Sequence, residues 1–311
     1  MAICEHDTSQ NVHNAMRCSA CGSGMRMCFQ SGDINRNISE EQFFFLRCAD
    51  CGLISLANVP DDLGRYYPDG YALIPQTDAA IEAGMRHEQY KIDLVRRYVR
   101  SGRLLEIGPS WGAFCMLAVR TGFSAQAIEM NRECCDFINH RLGLSAIQSY
   151  DEISALQSVS SQDVIAMWHV IEHLRDPWAL LTQAVVKLAP GGILVLATPN
   201  PAAFQFRVFG RFWTHVDAPR HVHLIPITLM CNKLTALGLE ELLITTRDEG
   251  SLGWNGFGWS FSLAGFVRGH MLKRAFRLVG TGLAWLASPL ERGEGDGSAY
   301  TVIFRKPAAK P

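Results

Sequence analysis

Three sets of residues in this chain have the types and spacing that chemistry requires. Cys18-Ser-Ala-Cys21-Gly and Cys48-Ala-Asp-Cys51-Gly are two Cys-x-x-Cys-Gly units separated by 26 residues. Such knuckles can close two turns on one tetrahedral zinc, and the glycine after each lets the backbone curl so that its amides face the sulfurs. A redox pair is the competing chemistry, and Cys28 or His13 could replace one of the four ligands. The second set runs from Leu104 to Glu129. Leu104-Leu105-Glu106-Ile107-Gly108-Pro109-Ser110-Trp111-Gly112 reads as an apolar strand breaking into a glycine-bearing turn. A helix pattern follows from Ala113 to Thr121, then a strand from Ala125 that ends in the acid Glu129. Strand, tight turn, helix and acid-tipped strand hold a nucleoside: the backbone approaches the ligand and the acid receives two ribose hydroxyls. The spacing of Gly108 and Gly112, with Ser110 between them, misses the Gly-x-Gly-x-x-Gly that seats a pyrophosphate. The third set is histidine, the side chain that exchanges a proton near neutral pH, at His169, His173, His221 and His223.

The turn Glu106-x-Gly108-x-Ser110-x-Gly112 resembles the Glu/Asp-x-Gly-x-Gly-x-Gly turn of class I S-adenosylmethionine (SAM) methyltransferases, with serine in place of the middle glycine. The later run WHVIEHLRDP … LAPGGILVLATPNP … PRHVHLIPITLMCNKLTALGLE is similar to the UbiG-like SAM methyltransferase group, and the likeness spans roughly residues 85 to 247. It implies an α/β fold, a Rossmann-like seven-stranded mostly parallel sheet with helices on both faces. It implies that Glu106, Gly108, Ser110 and Gly112 surround the amino-acid end of SAM, that Glu129 holds the ribose, and that Trp168 and His169 lie beside the cofactor. A hydroxyl acceptor also needs a base. His221 is the first candidate, in Pro219-Arg220-His221-Val222-His223 after the fifth strand, and His173 is the second. Arg220 could orient a carboxylate or phosphate of the acceptor.

These groups need elements to position them. Asp163 to Trp168 reads as a buried strand, Trp178 to Leu188 as a helix, Pro190-Gly191-Gly192 as a turn and Ile193 to Ala197 as an all-apolar strand. Continuous apolar strands alternating with amphipathic helices indicate a parallel sheet covered on both faces. Pro226 to Leu237 reads as a helix, and Leu239 to Thr246 and Ala299 to Phe304 as the last strands, the final one antiparallel. A helix pattern from Ala80 to Arg100 precedes the domain and is ended by Gly102. The chain divides into a loose tail to about residue 16, a zinc ribbon at 17–58 with a strand at Gln42 to Arg47, and a methyltransferase domain at 80–307. Between them lie Tyr66, Tyr67 and Tyr71, which either pack on the neighbouring domain or line the cofactor mouth.

An apolar insert occupies about 248–297. Gly250 to Val267 carries no charge, and its five glycines make a spanning helix a poor reading. Leu278 to Leu290 is a second uncharged run of 13 residues, and Arg268, His270, Lys273, Arg274 and Arg277 lie between the two. A helical lid over the acceptor pocket is one reading; a peripheral membrane contact through 250–290 is the other.

With 48% hydrophobic and 19% charged residues the composition is that of a folded globular chain. A net charge of −1 gives no broad basic face for nucleic acid. In the ribbon Arg17, Arg26, Arg36 and Arg47 cancel Asp33, Glu40, Glu41 and Asp50. The polar start Met1-Ala-Ile-Cys4-Glu5-His6-Asp7 leads us to expect a cytoplasmic chain, in which disulfides explain cysteines poorly. The expected function is methyl transfer from SAM to a small-molecule, sugar or lipid-linked acceptor. An RNA methyltransferase and a non-catalytic SAM-binding module are the alternatives.

Overall fold

The structure is a computed structural model, and it describes residues 16–68, 70–267 and 269–308. The expected N-terminal tail, with Cys4 and His13, lies outside the described residues. Eleven strands are described: β1 (Met25–Gly32), β2 (Gln42–Cys48), β3 (Ile54–Leu56), β4 (Gly102–Ile107), β5 (Phe123–Glu129), β6 (Ser145–Gln148), β7 (Gln162–Trp168), β8 (Leu188–Pro199), β9 (His223–Leu224), β10 (Glu240–Thr245) and β11 (Ala299–Arg305).

Seven of them form one sheet in the order β10-β11-β8-β7-β4-β5-β6, in which only β11 runs against its neighbours. Alternate residues of each strand face opposite layers, so nearly every position must be apolar. Leu105, Ile107, Ile165, Met167, Leu194 and Leu196 pack under the helices Glu152–Ser158, Pro177–Lys187 and Ile227–Ala236. Leu104, Val164, Ala166, Ile193 and Val195 meet Asp78–Arg96 and Ala113–Arg120 on the other face. Strand order reverses at β4, which opens a crevice at the carboxyl ends of β4 and β5.

The ribbon is not a free-standing appendage. β1, β2 and β3 form an antiparallel sheet whose fourth strand is β9, supplied by the connection between β8 and the helix Ile227–Ala236. Cys18, Cys48 and Leu53 share a core with Ile225, Leu229 and Met230. A further core joins Phe43, Phe45, Ile54 and Tyr66 of the ribbon side to Trp213, Val216 and Leu224, and to Trp259 and Ala287 of the insert.

Three expectations need correction. The first long helix stops at Arg96, and Gly102 opens β4 opposite Phe123 rather than ending that helix. Thr77 caps its start by accepting from Ala80 N at 3.2 Å. Pro190-Gly191-Gly192 is not a turn but lies within β8: Gly191 N donates to Lys306 O and Lys306 N to Gly192 O, each at 2.9 Å. Cys28 stands exposed on β1, outside the cysteine cluster. The insert folds as two helices, Glu249–Gly265 and His270–Glu291, that cross closely at Gly280. A Cβ there would meet Ser260 Cα at 2.6 Å.

Candidate active site

The turn after β4 is shaped by backbone angles that side chains oppose. Gly108 has φ +69° and Gly112 φ +89°; a Cβ at the first would meet Val170 Cγ2 at 2.5 Å, and at the second Ile138 Cγ1 at 2.8 Å. Ser110, in place of the middle glycine, is held at φ +54°. Its amide donates to Glu129 Oε2 at 3.0 Å, while Asn131 N donates to Glu129 Oε1 at 2.8 Å. The acid at the tip of β5 thus clamps the turn, and burial pushes its carboxyl above the usual carboxylate range. Glu106 is buried beneath the turn and accepts from Cys115 Sγ at 3.1 Å. Burial raises it to about 7, against the pull of Lys91.

Lys91 was not singled out in the sequence. It pairs with Glu88 on the first long helix and lies over the Trp168 ring at 5.0 Å. Trp168 packs on Phe114 and Tyr90, and its indole Nε1 is a buried donor without a partner. A cleft of about 770 Å³ lined by Leu73, Pro75, Ala80, Gly84, Trp111 and Glu133 borders the turn.

The histidines gather at the ends of β7 and β8. His169, at φ +57°, donates its backbone N–H to Ala197 O at 2.8 Å. The short turn Ile171–His173 then buries Glu172 completely. Glu172 Oε2 accepts from Thr198 Oγ1 at 3.0 Å, and Oε1 lies 3.4 Å from His169 Nδ1. Burial opposes its charge, but the His169 contact and the neighbouring His173 and His221 rings hold the carboxyl down to about 2.

His173 Nδ1 is 3.0 Å from Arg220 O and 2.9 Å from Tyr67 Oη. A carbonyl only accepts, so we assign the proton to Nδ1 and the lone pair to Nε2. The same argument assigns His221, whose Nδ1 is 2.8 Å from His215 O. Burial, then the His221 charge, pushes His173 down to about 4, so it is neutral at physiological pH. The His173 and His221 rings meet edge to face at 4.6 Å. Glu172, His173 and His221 offer ligand atoms within 4.8 Å of one another.

Sequence reasoning missed two partners, His215 and Trp254. Trp254, from the first insert helix, sits 4.7 Å from the His169 ring and 5.3 Å from His215. The uncharged aromatic run containing Trp254 was visible in the sequence, but not where it would dock. The helix Glu249–Gly265 thereby covers the histidine group from one side.

Two expected roles change. Arg220 is fully buried and donates to Asp217 Oδ1 at 2.7 Å and Oδ2 at 2.9 Å and to Asp33 Oδ1 at 2.7 Å, so it clasps the ribbon to the post-β8 loop, while its Nη1 is a buried donor without a partner. His223, in β9, takes Ser55 Oγ at 2.9 Å beneath the ribbon and lies away from the other histidines' contacts. The tyrosines divide: Tyr66 is core, 5.8 Å from Phe43, while Tyr67 reaches His173 and stacks edge-on with Tyr71 at 4.9 Å. Arg36, on the β1–β2 connection, lies 4.6 Å over Tyr71.

At the other end of the ribbon the four knuckle cysteines come together. Cys18 and Cys51 Sγ are 3.5 Å apart, as are Cys21 and Cys48, and all four lie within 4.8 Å of one another. That is too long for a disulfide, whose S–S bond is about 2.0 Å. Hydrogen bonding from Ser23 lowers Cys21 to about 6, and burial raises Cys18.

Residues 82–243 match the family model described as a methyltransferase domain, just over half of the chain. The ubiquinone biosynthesis O-methyltransferase of Cereibacter sphaeroides is 27% identical over 172 residues, 52% of this chain and 68% of that protein. The Xanthomonas campestris protein of the same name is 30% identical over 129 residues, 39% of this chain and 54% of that one. Among solved structures, the cyclopropane synthase MmaA2 from Mycobacterium tuberculosis superimposes with a TM-score of 0.50 at 15% identity, covering 70% of this chain and 84% of that one. At that identity the likeness speaks for the fold alone. The family match, the sheet order and the glycine turn agree: this chain belongs to the methyltransferase-domain family and is a class I SAM-dependent methyltransferase.

Proposed function

We propose that the chain carries the SAM methyl group to a hydroxyl of a small-molecule, sugar or lipid-linked acceptor held under the insert helices. The observation behind this reading is the grouping of Glu172, His173 and His221 at the carboxyl end of β7, with Trp254 closing one side. The name of the relatives, an O-methyltransferase of ubiquinone biosynthesis, favours oxygen as the accepting atom.

The residues fit SAM on this chain's own features. Gly108 and Gly112 leave a cradle that a Cβ would fill, Glu129 presents a carboxylate at the tip of β5, and Trp168 Nε1 is a buried donor awaiting an acceptor. In this reading Glu106, Gly108, Ser110 and Gly112 surround the amino-acid end, Glu129 takes the ribose hydroxyls, and Trp168 and His169 flank the crevice. SAM supplies an electrophilic methyl on a sulfonium.

The chain's own work is to hold the acceptor in line and to take its proton. His221 Nε2 carries the free lone pair, and a ring nitrogen of His221 lies within 4.8 Å of the Glu172 carboxylate, whose charge would stabilise the imidazolium. His173, held down to about 4, is a weak base and serves better to orient Tyr67 and His221. Loss of a general base costs about 10²–10⁴ in turnover. His221→Ala should therefore lower kcat on that scale while SAM affinity, read by calorimetry, stays within a factor of two. Unchanged turnover would remove His221 from the mechanism.

The cysteine cluster fits zinc. A tetrahedron with Zn–S bonds of about 2.3 Å has edges of about 3.8 Å, close to the 3.5 Å pairs in this chain. Cys18, Cys21, Cys48 and Cys51 leave no open position for catalysis, so the proposed ion is structural. The β1–β2 connection, at the opposite end of the ribbon, supplies Asp33, Asn35 and Arg36 to the loop and tyrosines beside the histidines.

A further inference from the structure

The helix His270–Glu291 has an inner face that is fully used and an outer face that is not. Inward, Gly280 meets Ser260, Leu283 and Ala284 join the core around Trp259, and Glu291 accepts from Gln205 Nε2 at 2.6 Å and Trp259 Nε1 at 2.9 Å. Outward, apolar side chains recur in pairs seven residues apart: Met271 and Leu272, Leu278 and Val279, Trp285 and Leu286. Met271 is 84% exposed, Leu278 71% and Trp285 79%, and Leu290 extends the row. With 22 residues, the helix offers an apolar stripe about 33 Å long. His270, Lys273, Arg274 and Arg277 stand along its first half, and its single acid, Glu291, is buried.

We propose that this face seats on an anionic lipid bilayer, with the helix lying in the plane of the headgroups. The stripe is apolar, and Arg274 stands at its edge beside Trp285 while the other cations lie further round the helix, so the fitting partner is apolar with an anionic surface. A second copy of the stripe supplies no acid to meet these cations, whereas an anionic membrane supplies both properties. The face also connects to the site. Arg277 lies 4.2 Å over Phe261, Phe261 stacks on Phe257 at 4.0 Å, Phe257 meets Trp254 at 5.3 Å, and Trp254 touches the His169 ring. A line of aromatic rings thus runs from Arg277, on the side of the helix that faces Glu249–Gly265, to the histidines. The proposal rests on the methyl-transfer reading only for its purpose, which is to present a membrane-resident amphiphile as acceptor. No helix among the described residues is long and apolar enough to cross a membrane, as a surface-lying element requires.

The test is co-flotation of the full chain with phosphatidylcholine vesicles, with and without phosphatidylglycerol. The wild type should float with the phosphatidylglycerol vesicles alone and be released by salt. Arg274→Gln should lower that partitioning about 5-fold. Leu278→Glu with Trp285→Glu, both on exposed positions, should abolish it while thermal unfolding is unchanged. Equal flotation of wild type and the Leu278→Glu/Trp285→Glu variant would overturn the proposal, as would no flotation of the wild type. A dimer dissolved by Leu278→Glu would overturn it in favour of a second copy. Calorimetry with S-adenosylhomocysteine on the same preparations keeps the two readings apart: loss of that binding in the wild type defeats methyl transfer whatever the vesicles show.

Discussion

Replacing Glu129 separates ligand binding from the fold, because its two oxygens do two jobs. Each accepts one backbone amide, from Ser110 N at 3.0 Å and Asn131 N at 2.8 Å. A carboxylate oxygen has two acceptor sites, so one remains on each for the ribose hydroxyls. Glu129→Gln keeps one carbonyl oxygen and removes the charge. Losing a hydrogen bond to a charged group costs about 1.5–3 kcal/mol, so affinity for S-adenosylhomocysteine should fall about 10- to 150-fold. Glu129→Ala should lose at least as much, and it also takes their acceptor from the two turn amides. That second loss should appear as a lower Tm in the absence of ligand. Calorimetric titration of wild type and both variants, with thermal unfolding alongside, gives both quantities. If affinity is unchanged in both variants, the ribose does not rest on Glu129. If affinity falls only in proportion to lost stability, Glu129 is part of the turn and not of the ligand site.

Glu106 should give the chain a pH-dependent stability. Its folded pKa rises from 4.5 to about 7, so the folded chain keeps a proton that the unfolded chain has released. The contribution is therefore greatest below pH 4.5, declines as pH rises, and is gone above about 7, a change of roughly 3 kcal/mol in all. Glu106→Gln should flatten this part of the Tm–pH curve, and equal slopes in wild type and variant would refute it. For the ribbon, metal analysis of protein purified without added zinc should find about one zinc per chain. A strong chelator should then lower the Tm of the whole chain, since Cys18 and Cys48 share a core with Ile225 and Met230; no metal, or an unchanged Tm, would contradict this.

Local signals carried the sequence reading where the physics is local. The glycine turn, the acid closing β5 and the cysteine knuckles are each set by a few neighbouring residues, and the structure brings each group together. Uninterrupted apolar runs announced β4, β7 and β8, because a strand covered on both faces leaves no room for polar positions. What the sequence hid depends on distant partners. Nothing near Arg220 in the sequence shows that Asp33, 187 positions away, pairs with it. His223 looks like the twin of His221 until Ser55 claims it under the ribbon. Pro190-Gly191-Gly192 carries turn chemistry, yet Lys306 draws it into the sheet. Trp254 could be seen only as part of an uncharged stretch, since nothing in its own neighbours says that it meets His169.

The most direct measurement is a crystal structure of the chain grown with S-adenosylhomocysteine. The account predicts the nucleoside at the carboxyl ends of β4 and β5, its ribose on Glu129 and its amino-acid end over Gly108 and Gly112. An empty crevice under saturating ligand, or a pyrophosphate nucleotide bound there in its place, would contradict it.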